Sequence, residues 1–381
     1  MRESKTISEI NNYVGYTINP LQYPEQIYEL YSVPSFDNEY PEIIKGSEIG
    51  SSKVTIEEGD VLICKINPRI NRVWVVKHNT DYPLIASSEW IVVRNRTLNP
   101  EYLKWYFSSP TFRTMLISQV AGIGGSLTRA QPKQVAGYSV PIPSSSEQES
   151  IVLSLNKISD LIALRKKQLQ KLDDLVKARF VELFGHQSHN EKNMSYGKID
   201  DVAEIYLGLT HTPTYVEDGV KFISAKNTSC DYLDLSDVKY ISREEFEKAP
   251  KGTKPQIGDV LFSRVGSNLG HPVILDVAEE LCTFVSLGFL RTKGTVTNVY
   301  LKHWMRDNFF AEQVAQKVVG GGQPNLNTGW LKEFKIIIPP MSLQNEFTAF
   351  VEQTDKSKLT IQQSLDKLEL MKKALMQKYF E

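Results

Sequence analysis

The stretch GDVLICKINPRINRVWVV at residues 59–76 decides the fold, because its opening returns 199 positions later in GDVLFSRVGSNLG at residues 258–270. Three further matches follow in the same order: YLK at 102–104 and 300–302, SVP at 139–141 with IIP at 337–339, and KL at 171–172 and 367–368. A period of about half of the chain is far longer than that of a solenoid repeat. The sequence therefore predicts two copies of one domain.

The composition indicates a globular protein of more than one domain. The chain has 381 residues, of which 41% are hydrophobic and 23% are charged. At roughly 150 residues per domain, we expect two or three domains with packed cores. The 44 Lys and Arg residues nearly balance the 45 Asp and Glu residues, which leaves a net charge of -1. A surface that binds nucleic acid must therefore be local.

The cysteines and the N-terminus indicate the compartment. Cys64, Cys230 and Cys282 lie far apart, without a CxxC pair or a histidine at zinc-ligand spacing, so we expect three buried thiols in a reducing cytoplasm. The opening MRESKTISEI lacks the apolar core of a signal peptide, and the longest apolar run, around 334–341, is too short to span a bilayer. We expect a soluble, cytoplasmic protein that contacts no membrane.

Each copy has the same order of predicted elements. Short β-branched and aromatic runs come first, at 60–65, 73–76 and 90–93 in one copy and at 260–265, 272–275 and 284–290 in the other. A helix is expected to begin after Asn99 and after Thr297, and to end in a glycine-rich loop at 122–125 or 320–322. A last strand then leads to a pair of prolines. The pattern predicts an α+β fold.

A long helix ends each copy. Its apolar residues alternate at spacings of three and four, which is the pattern of a coiled-coil seam. The predicted seam residues are Ile151, Leu155, Ile158, Ile162, Leu169, Leu172, Val176 and Leu183 in the first helix, and Phe347, Val351, Ile361, Leu365, Leu368, Leu375 and Tyr379 in the second. Because the duplication favours a pseudo-twofold arrangement, we expect an antiparallel pair, roughly 50 Å long, that separates two globular domains.

Four polar residues interrupt this seam. They are Arg165, Arg179, Lys358 and Lys372, and each stands where the other helix has an apolar residue. Such differences are expected of two copies that have diverged. Leu164 or Met371 could enter the seam instead.

The sequence lacks the motifs of several catalytic classes. It has no GxxxxGK[ST] phosphate loop, no HExxH metal site and no Asn-Pro-Pro-aromatic motif of adenine methyltransferases. The glycines at 122–125 and 320–322 follow a predicted helix, whereas a dinucleotide-binding loop leads from a strand into a helix. We therefore expect a chain that recognises a partner and catalyses no reaction.

Together with SSEWIVVR at 87–94, FISAKN at 222–227 and PNLN at 324–327, the quoted stretches resemble the specificity subunits of type I restriction-modification systems over essentially the whole chain. The resemblance implies two homologous β-rich target recognition domains, at 1–145 and, with a leading linker, at 186–342. It also implies helical spacers at 146–185 and 343–381, which form the antiparallel two-helix coiled coil. The first copy departs from the pattern, since its lead-in from Met1 is shorter than that of the second.

The resemblance further implies the function and the partners. Each target recognition domain would read one half of a bipartite site in double-stranded DNA, and the helices would set the gap and dock two modification subunits. Those subunits would bring S-adenosylmethionine and methylate adenine, while restriction subunits would bring ATP- and Mg-dependent translocation and cleavage. This chain would bind no cofactor or metal and would have no catalytic residue.

Three alternatives stay open. The chain could serve a related methylase-nuclease system, or be an orphan that swaps specificity into another complex. It could be a protein-only scaffold, which would retain no DNA sequence-selectively. It could be a fused methyltransferase, which would bind S-adenosylmethionine alone.

Candidate DNA contacts are the cationic and polar side chains of equivalent loops in both copies. Arg suits guanine, and Asn or Gln suits adenine, because their paired hydrogen-bonding groups match those base edges in the major groove. The candidates in the first copy are Lys65, Asn67, Arg69, Arg72, Ser88, Thr128, Arg129 and Gln131. Those in the second are Thr210, Lys226, Asn227, Arg264, Ser267, Asn268, Gln323, Asn325 and Asn327.

Overall fold

The computed structural model describes residues 3–118, 120–121, 128–266, 268–317 and 325–381. The chain divides into two compact units, one formed by Met1–Lys166 with Gln363–Glu381 and the other by Lys167–Gln362. Each unit contains one β-rich repeat and a part of both long helices. The unit boundaries therefore fall inside the helices, whereas the sequence placed the domain boundaries at the starts of both helices and at the end of the first.

The first unit is built around two sheets. Its strands are β1 (Ser4–Thr6), β2 (Thr17–Ile18), β3 (Ile27–Tyr31), β4 (Glu42–Lys45), β5 (Lys53–Thr55), β6 (Val61–Cys64), β7 (Val73–Val75), β8 (Leu84–Ser87), β9 (Trp90–Val93), β10 (Val120–Ala121), β11 (Arg129–Ala130) and β12 (Ser139–Pro141). The order β2-β5-β8-β3-β4 forms one sheet and β7-β6-β9 the other. The GDVL motif supplies β6, which is fully buried and antiparallel to both neighbours.

The second unit repeats this arrangement. Its strands are β13 (Ser195–Lys198), β14 (Ala203–Leu207), β15 (Tyr215–Val216), β16 (Val220–Ile223), β17 (Lys239–Ile241), β18 (Val260–Ser263), β19 (Pro272–Ile274), β20 (Leu281–Thr283), β21 (Leu287–Thr292) and β22 (Lys335–Ile338). The order β19-β18-β21 matches β7-β6-β9, with β14 added beside β21. The parallel pair β16 and β20 matches the parallel pair β3 and β8.

The helices in the middle of each repeat correct one expectation. The helices of the first unit are α1 (Ile7–Ile10), α2 (Pro100–Phe107), α3 (Pro110–Ser118), α4 (Pro132–Val135) and α5 (Ser145–Phe184), and those of the second are α6 (Ile199–Val202), α7 (Arg243–Lys248), α8 (Asn298–Trp304), α9 (Asn308–Lys317), α10 (Thr328–Lys332) and α11 (Met341–Phe380). Asn99 and Thr297 cap α2 and α8 as expected. The single predicted helix after each cap is wrong, because two helices follow. Pro110, which has no N–H, separates one pair, and the Asp307 side chain accepts from Phe309 N (2.9 Å) at the start of α9.

The two long helices run antiparallel within each unit. In the first unit, Leu155 near the start of α5 shares a core with Met376 and Phe380 at the end of α11. In the second, Phe180 near the end of α5 packs on Phe347 near the start of α11, with ring centres 5.5 Å apart. Both helices have 40 residues.

The structure assigns different burial to the predicted seam residues. The buried ones are Ile151, Leu155, Ile158, Ile162, Val176, Leu183, Phe347, Val351 and Leu365, and the half-buried ones are Leu169, Leu172, Ile361, Leu368, Leu375 and Tyr379. Leu164 and Met371 are 55% and 56% exposed, so neither enters the seam. The pattern missed Phe184 and Phe380, because these side chains pack on aromatic rings of the repeats, Tyr300 and Tyr106.

The polar residues of the seam all find partners within their units. Arg165 donates to the Ser364 hydroxyl (3.3 Å) and Arg179 pairs with Glu346. Lys358 pairs with Asp173 at 2.5 Å, and the Lys372 ammonium lies 4.9 Å from the centre of the Trp105 ring. Polar and charged side chains are thus accommodated inside the seam because each is paired.

A buried glutamine fixes the first turn of each long helix. The Gln148 side chain accepts from Asn99 N (2.9 Å) and donates to Pro143 O (2.9 Å). Gln344, 196 positions later, accepts from Thr297 N (2.8 Å) and donates to Thr295 O (3.1 Å) and Pro339 O (2.8 Å). Each glutamine therefore ties its long helix to the segment that opens α2 or α8.

Two sequence expectations concerned the thiols and the membrane. Cys64 and Cys282 are buried as expected, but Cys230 is exposed. The expectation failed because Cys230 lies in the polar segment between β16 and β17, outside any strand. Among the described residues, no helix is long and apolar enough to cross a membrane.

Candidate nucleic-acid interface

The aspartate of the GDVL motif pairs with an arginine in each repeat. Gly59 and Gly258 adopt φ of 84° and 91°, which favours glycine. The buried Asp60 carboxylate accepts from Arg94 Nε and Nη2, both at 2.7 Å. Asp259 accepts from Arg291 at 2.9 and 2.7 Å in the same way. The aspartates therefore form a buried, bidentate ion pair in each repeat.

Sequence reasoning missed these two arginines. Arg94 ends the SSEWIVVR stretch and follows β9, and Arg291, 197 positions later, lies near the end of the equivalent strand β21. The repeat places Arg94 and Arg291 at equivalent positions of the two copies, as it does Asp60 and Asp259, and this match was the signal that could have paired the arginines with the aspartates.

Beyond the GDVL strand, the main chain of each repeat closes a junction that we call the clamp. In the first repeat, Lys65 N donates to Glu89 O (2.9 Å), and Ala130 N donates to Lys65 O (2.9 Å). In the second, Arg264 N donates to Ser286 O (2.9 Å), and Leu326 N donates to Arg264 O (2.9 Å). Isolated bridges pair Ile66 with Arg129 and Val265 with Asn325. The clamp thus brings the loop after the GDVL strand against the loop that precedes α4 or α10.

The clamp has the same main chain in both repeats but different side chains. In the first repeat, Glu89 accepts from Arg129 Nε (3.2 Å) and Nη2 (3.3 Å). In the second, Arg264 donates from Nη1 to Val285 O (2.9 Å), from Nε to Leu326 O (3.3 Å) and from Nη2 to Asn325 Oδ1 (3.4 Å). Burial lowers the pKa of the Arg264 guanidinium from its usual value. Each clamp therefore contains one cationic side chain and one polar partner. The cation lies before α4 in the first repeat (Arg129), but directly after the GDVL strand in the second (Arg264).

Several other candidates of the first repeat lie around its clamp. Asn67 N donates to Thr128 O (3.0 Å), and Asn67 has a positive φ of 47°. Ser88 is exposed beside Glu89, and Gln131 follows Ala130 at the N-terminus of α4. Lys65, Asn67, Ser88, Thr128, Arg129 and Gln131 are thus brought together.

Two arginines of the same repeat differ in their surroundings. The Arg72 side chain is only 15% exposed, and its Nε lies 3.8 Å from Asp37 Oδ1. Arg72 Nε forms no hydrogen bond in the described part of the chain. Arg69 is exposed. Of the two, only Arg69 presents its charge openly to solvent.

The candidates of the second repeat divide into exposed and committed groups. Asn227 is 3% exposed, and its amide donates to Asp234 O (3.0 Å) and Asp237 O (3.1 Å). The Asn327 side chain accepts from Gly329 N (2.7 Å) and caps α10. Both asparagines therefore stabilise local structure.

The exposed group comprises Thr210, Lys226, Asn268 and Asn325. Thr210 follows Leu209, which bonds Thr283 O and Val285 N next to the clamp. Lys226 pairs with Asp237 at 3.0 Å. Ser267 and Gln323, and the glycine-rich loops at 122–125 and 320–322, lie outside the described residues.

No group of three or more potential metal-binding side chains occurs among the residues that the structure describes. The clamps instead offer cationic and amide donors on exposed loops. Such donors match the acceptor-rich edges of base pairs and the phosphates of nucleic acid.

The comparisons with known proteins agree on one family. Residues 191–370 match the type I restriction modification DNA specificity domain. The chain is 19% identical over 347 residues to the type I restriction enzyme MjaVIII specificity subunit of Methanocaldococcus jannaschii, covering 86% of this chain and 80% of that protein.

Two solved structures share the fold. One is a chain from a study of complex assembly and conformational transition of the type I R-M system, with 18% identity, a TM-score of 0.62 and coverage of 100% of this chain and 97% of that chain. The other is a type I restriction-modification system S subunit from M. genitalium, with 12% identity, a TM-score of 0.56 and coverage of 100% and 96%. Residues 191–370 therefore match the type I restriction modification DNA specificity domain, and the chain as a whole is similar to specificity subunits of type I restriction enzymes.

Proposed function

We propose that the two repeats read unlike halves of one bipartite DNA site and that the chain itself catalyses no reaction. The observation that carries this proposal is the pair of clamps. Their main-chain hydrogen bonds are equivalent, whereas Lys65, Glu89 and Arg129 in one are replaced by Arg264, Ser286 and Asn325 in the other. Equal frameworks with unequal side chains are what two readers of different base pairs require.

The charge of the chain supports a role within a larger complex. Phosphate neutralisation supplies most of the non-specific affinity for DNA, and a chain of net charge -1 provides little of it. We therefore assign the remaining phosphate contacts to two modification subunits, which also bind S-adenosylmethionine. Restriction subunits bind ATP and Mg.

Exposed apolar side chains on the long helices support docking of those modification subunits. Leu175 and Met371 are 48% and 56% exposed and lie at equivalent positions, 196 residues apart. Leu164 and Leu370 are 55% and 68% exposed. Two equivalent apolar sites fit two copies of one partner.

The docking is tested by purifying the complex with charged variants. Leu175→Glu and Met371→Glu should each weaken capture of the modification subunit, because a carboxylate is costly to bury in an apolar contact. Gln353→Glu, an exposed position on the same pair of helices, is the matched control. Normal capture by both leucine and methionine variants would remove this surface from the proposal.

The recognition is tested by selecting bound duplexes from a random DNA library. The full chain in complex with its modification subunit is used, with the modification subunit alone as control. We expect enrichment of two short, unlike sequences around a fixed gap. Enrichment of no sequence would favour the protein-only scaffold, and one uninterrupted sequence would contradict division of the site between repeats.

A further inference from the structure

In each clamp, the residue from the loop before α4 or α10 has an exposed side chain that is hydrogen-bonded to a neighbouring side chain, which we call its holder. The Arg129 side chain is 49% exposed, and its holder Glu89 is 29% exposed. Asn325 is exposed at the equivalent position, and its holder Arg264 is half-buried. The held side chains thus present hydrogen-bonding groups to solvent in a restricted orientation.

In the first repeat, Glu89 occupies only one edge of the guanidinium. The carboxylate accepts from Nε and Nη2, which is the side edge of the planar group. The end of the guanidinium presents one remaining N–H of Nη2 beside an N–H of Nη1, and Nη1 donates no hydrogen bond within the described residues. Two parallel N–H groups match the O6 and N7 acceptors of guanine.

In the second repeat, Arg264 fixes which way the Asn325 amide points. Because arginine only donates hydrogen bonds, the atom that faces its Nη2 at 3.4 Å must be Oδ1. The amide nitrogen then points away from Arg264. The NH2 group can donate to N7 of adenine, and the second lone pair of Oδ1 can accept from the N6 amino group.

Arg264 itself has few groups left for DNA. All three of its nitrogen atoms donate to acceptors of the same repeat, and two of those acceptors are main-chain carbonyls, of Val285 and Leu326. These hydrogen bonds suit Arg264 to positioning the Asn325 side chain rather than to contacting a phosphate.

We propose that Arg129 reads a guanine in one half-site and Asn325 an adenine in the other, and that Glu89 and Arg264 are the positioning residues that hold them. The proposal rests on the proposed function, because it requires that each repeat reads one half-site. It identifies one base-reading residue in each repeat, Arg129 in the first and Asn325 in the second, and each of them reads a different base.

The test uses the complex of the full chain with its modification subunit and the duplex found by selection. Affinities are measured for that duplex and for variants with one base pair changed. Arg129→Ala should reduce discrimination at one guanine, and Asn325→Ala at one adenine in the other half-site, each by about 5- to 150-fold. Glu89→Gln and Arg264→Ala should reduce discrimination at the same two bases by roughly 2- to 12-fold, the cost of leaving a side chain free to move. Lys248→Ala, on an exposed helix face of the second unit, is the control.

Two readouts separate positioning from mere structural support or phosphate contact. In the Asn325→Ala background, Arg264→Ala should cause no further loss at the adenine, because its effect passes through Asn325. The slope of log affinity against log salt should stay unchanged in Arg264→Ala, whereas loss of one phosphate contact lowers it by about 0.9. Arg264→Lys, which keeps the charge without the planar fork, should also lose discrimination and guards against misfolding of the alanine variant.

The proposal is overturned if Arg264→Lys keeps full discrimination at the adenine, if the salt slope falls, or if the two losses add. It is also overturned if Arg129→Ala or Asn325→Ala leaves every base preference intact. These results leave the proposed function in place, since a target was found. Failure to select any target duplex would instead refute the proposed function.

Discussion

Removal of one partner from the buried ion pair of the GDVL motif should strongly destabilise the unit that contains it. Asp60 is fully buried and accepts three hydrogen bonds, from Arg94 Nε, Arg94 Nη2 and Glu57 N, at 2.7, 2.7 and 2.8 Å. Asp60→Asn keeps the shape but has one acceptor oxygen in place of two. At least one of the three donors must then face an NH2 group.

The size of the effect follows from this geometry. Breaking a buried pair costs about 3–5 kcal/mol of the free energy of unfolding. Arg94 keeps its second ion pair, to Glu57 at 2.7 Å, so we expect the lower end, about 3 kcal/mol. For a unit of this size, that lowers Tm by about 6–12 °C.

The assay is thermal and urea unfolding of the full chain, followed by circular dichroism. Glu58→Gln is the matched control, because it removes a charge from an exposed position two residues away and should change stability by less than about 0.5 kcal/mol. Asp60→Leu combined with Arg94→Met should be less destabilising than Asp60→Leu alone, since no buried charge is left unpaired. If Asp60→Asn unfolds at the same temperature as Glu58→Gln, the stabilising role of the pair is refuted.

Three further predictions concern the long helices and their surroundings. Gln344→Ala leaves Thr297 N and two carbonyls without partners and should cost about 3 kcal/mol in urea unfolding; a cost equal to that of the exposed control Asn345→Ala would contradict it. Burial, with Arg306, Lys302 and Lys358 nearby, lowers the pKa of His303 to about 3. Between pH 6.5 and 3 the unfolded chain therefore binds a proton at His303 that the folded chain excludes, so the free energy of unfolding should fall by roughly 1.4 kcal/mol per pH unit as pH drops. The variant His303→Phe should abolish that share of the pH dependence in thermal melts. An unchanged pH dependence would show that other groups cause it. Seven helical residues inserted after both Lys166 and Gln362 keep the seam register and lengthen each helix by roughly 10 Å, so the selected gap between half-sites should grow by about three base pairs; an unchanged gap would refute the helices as the ruler.

Much of the fold could be predicted because it depends on local patterns. The repeat gave the GDVL strands β6 and β18, and the caps Asn99 and Thr297 gave the starts of α2 and α8. Seven-residue periodicity located the long helices. Both breaks in the middle helices were missed. A proline marks the break before Pro110, but no proline marks the break before Asn308, where the Asp307 cap resembles any polar helix residue.

The candidate interface could be predicted as a region but not as a set of contacts. In both clamps, the loop after the GDVL strand does contact the loop before α4 or α10. Sequence alone could not show that Arg264 is used by carbonyls up to 62 positions away, or that Asn227 and Asn327 serve their own backbone. A polar side chain looks the same in sequence whether it faces DNA or satisfies a buried main-chain group.

The most direct test of the central claim is a map of modified adenines across the genome of a methylation-free host that expresses the chain with its modification subunit. The account predicts modification at one new motif, made of two short, unlike half-sites around a fixed gap, and none with the modification subunit alone. Adenine modification without such a motif, or the same motif without this chain, would contradict it.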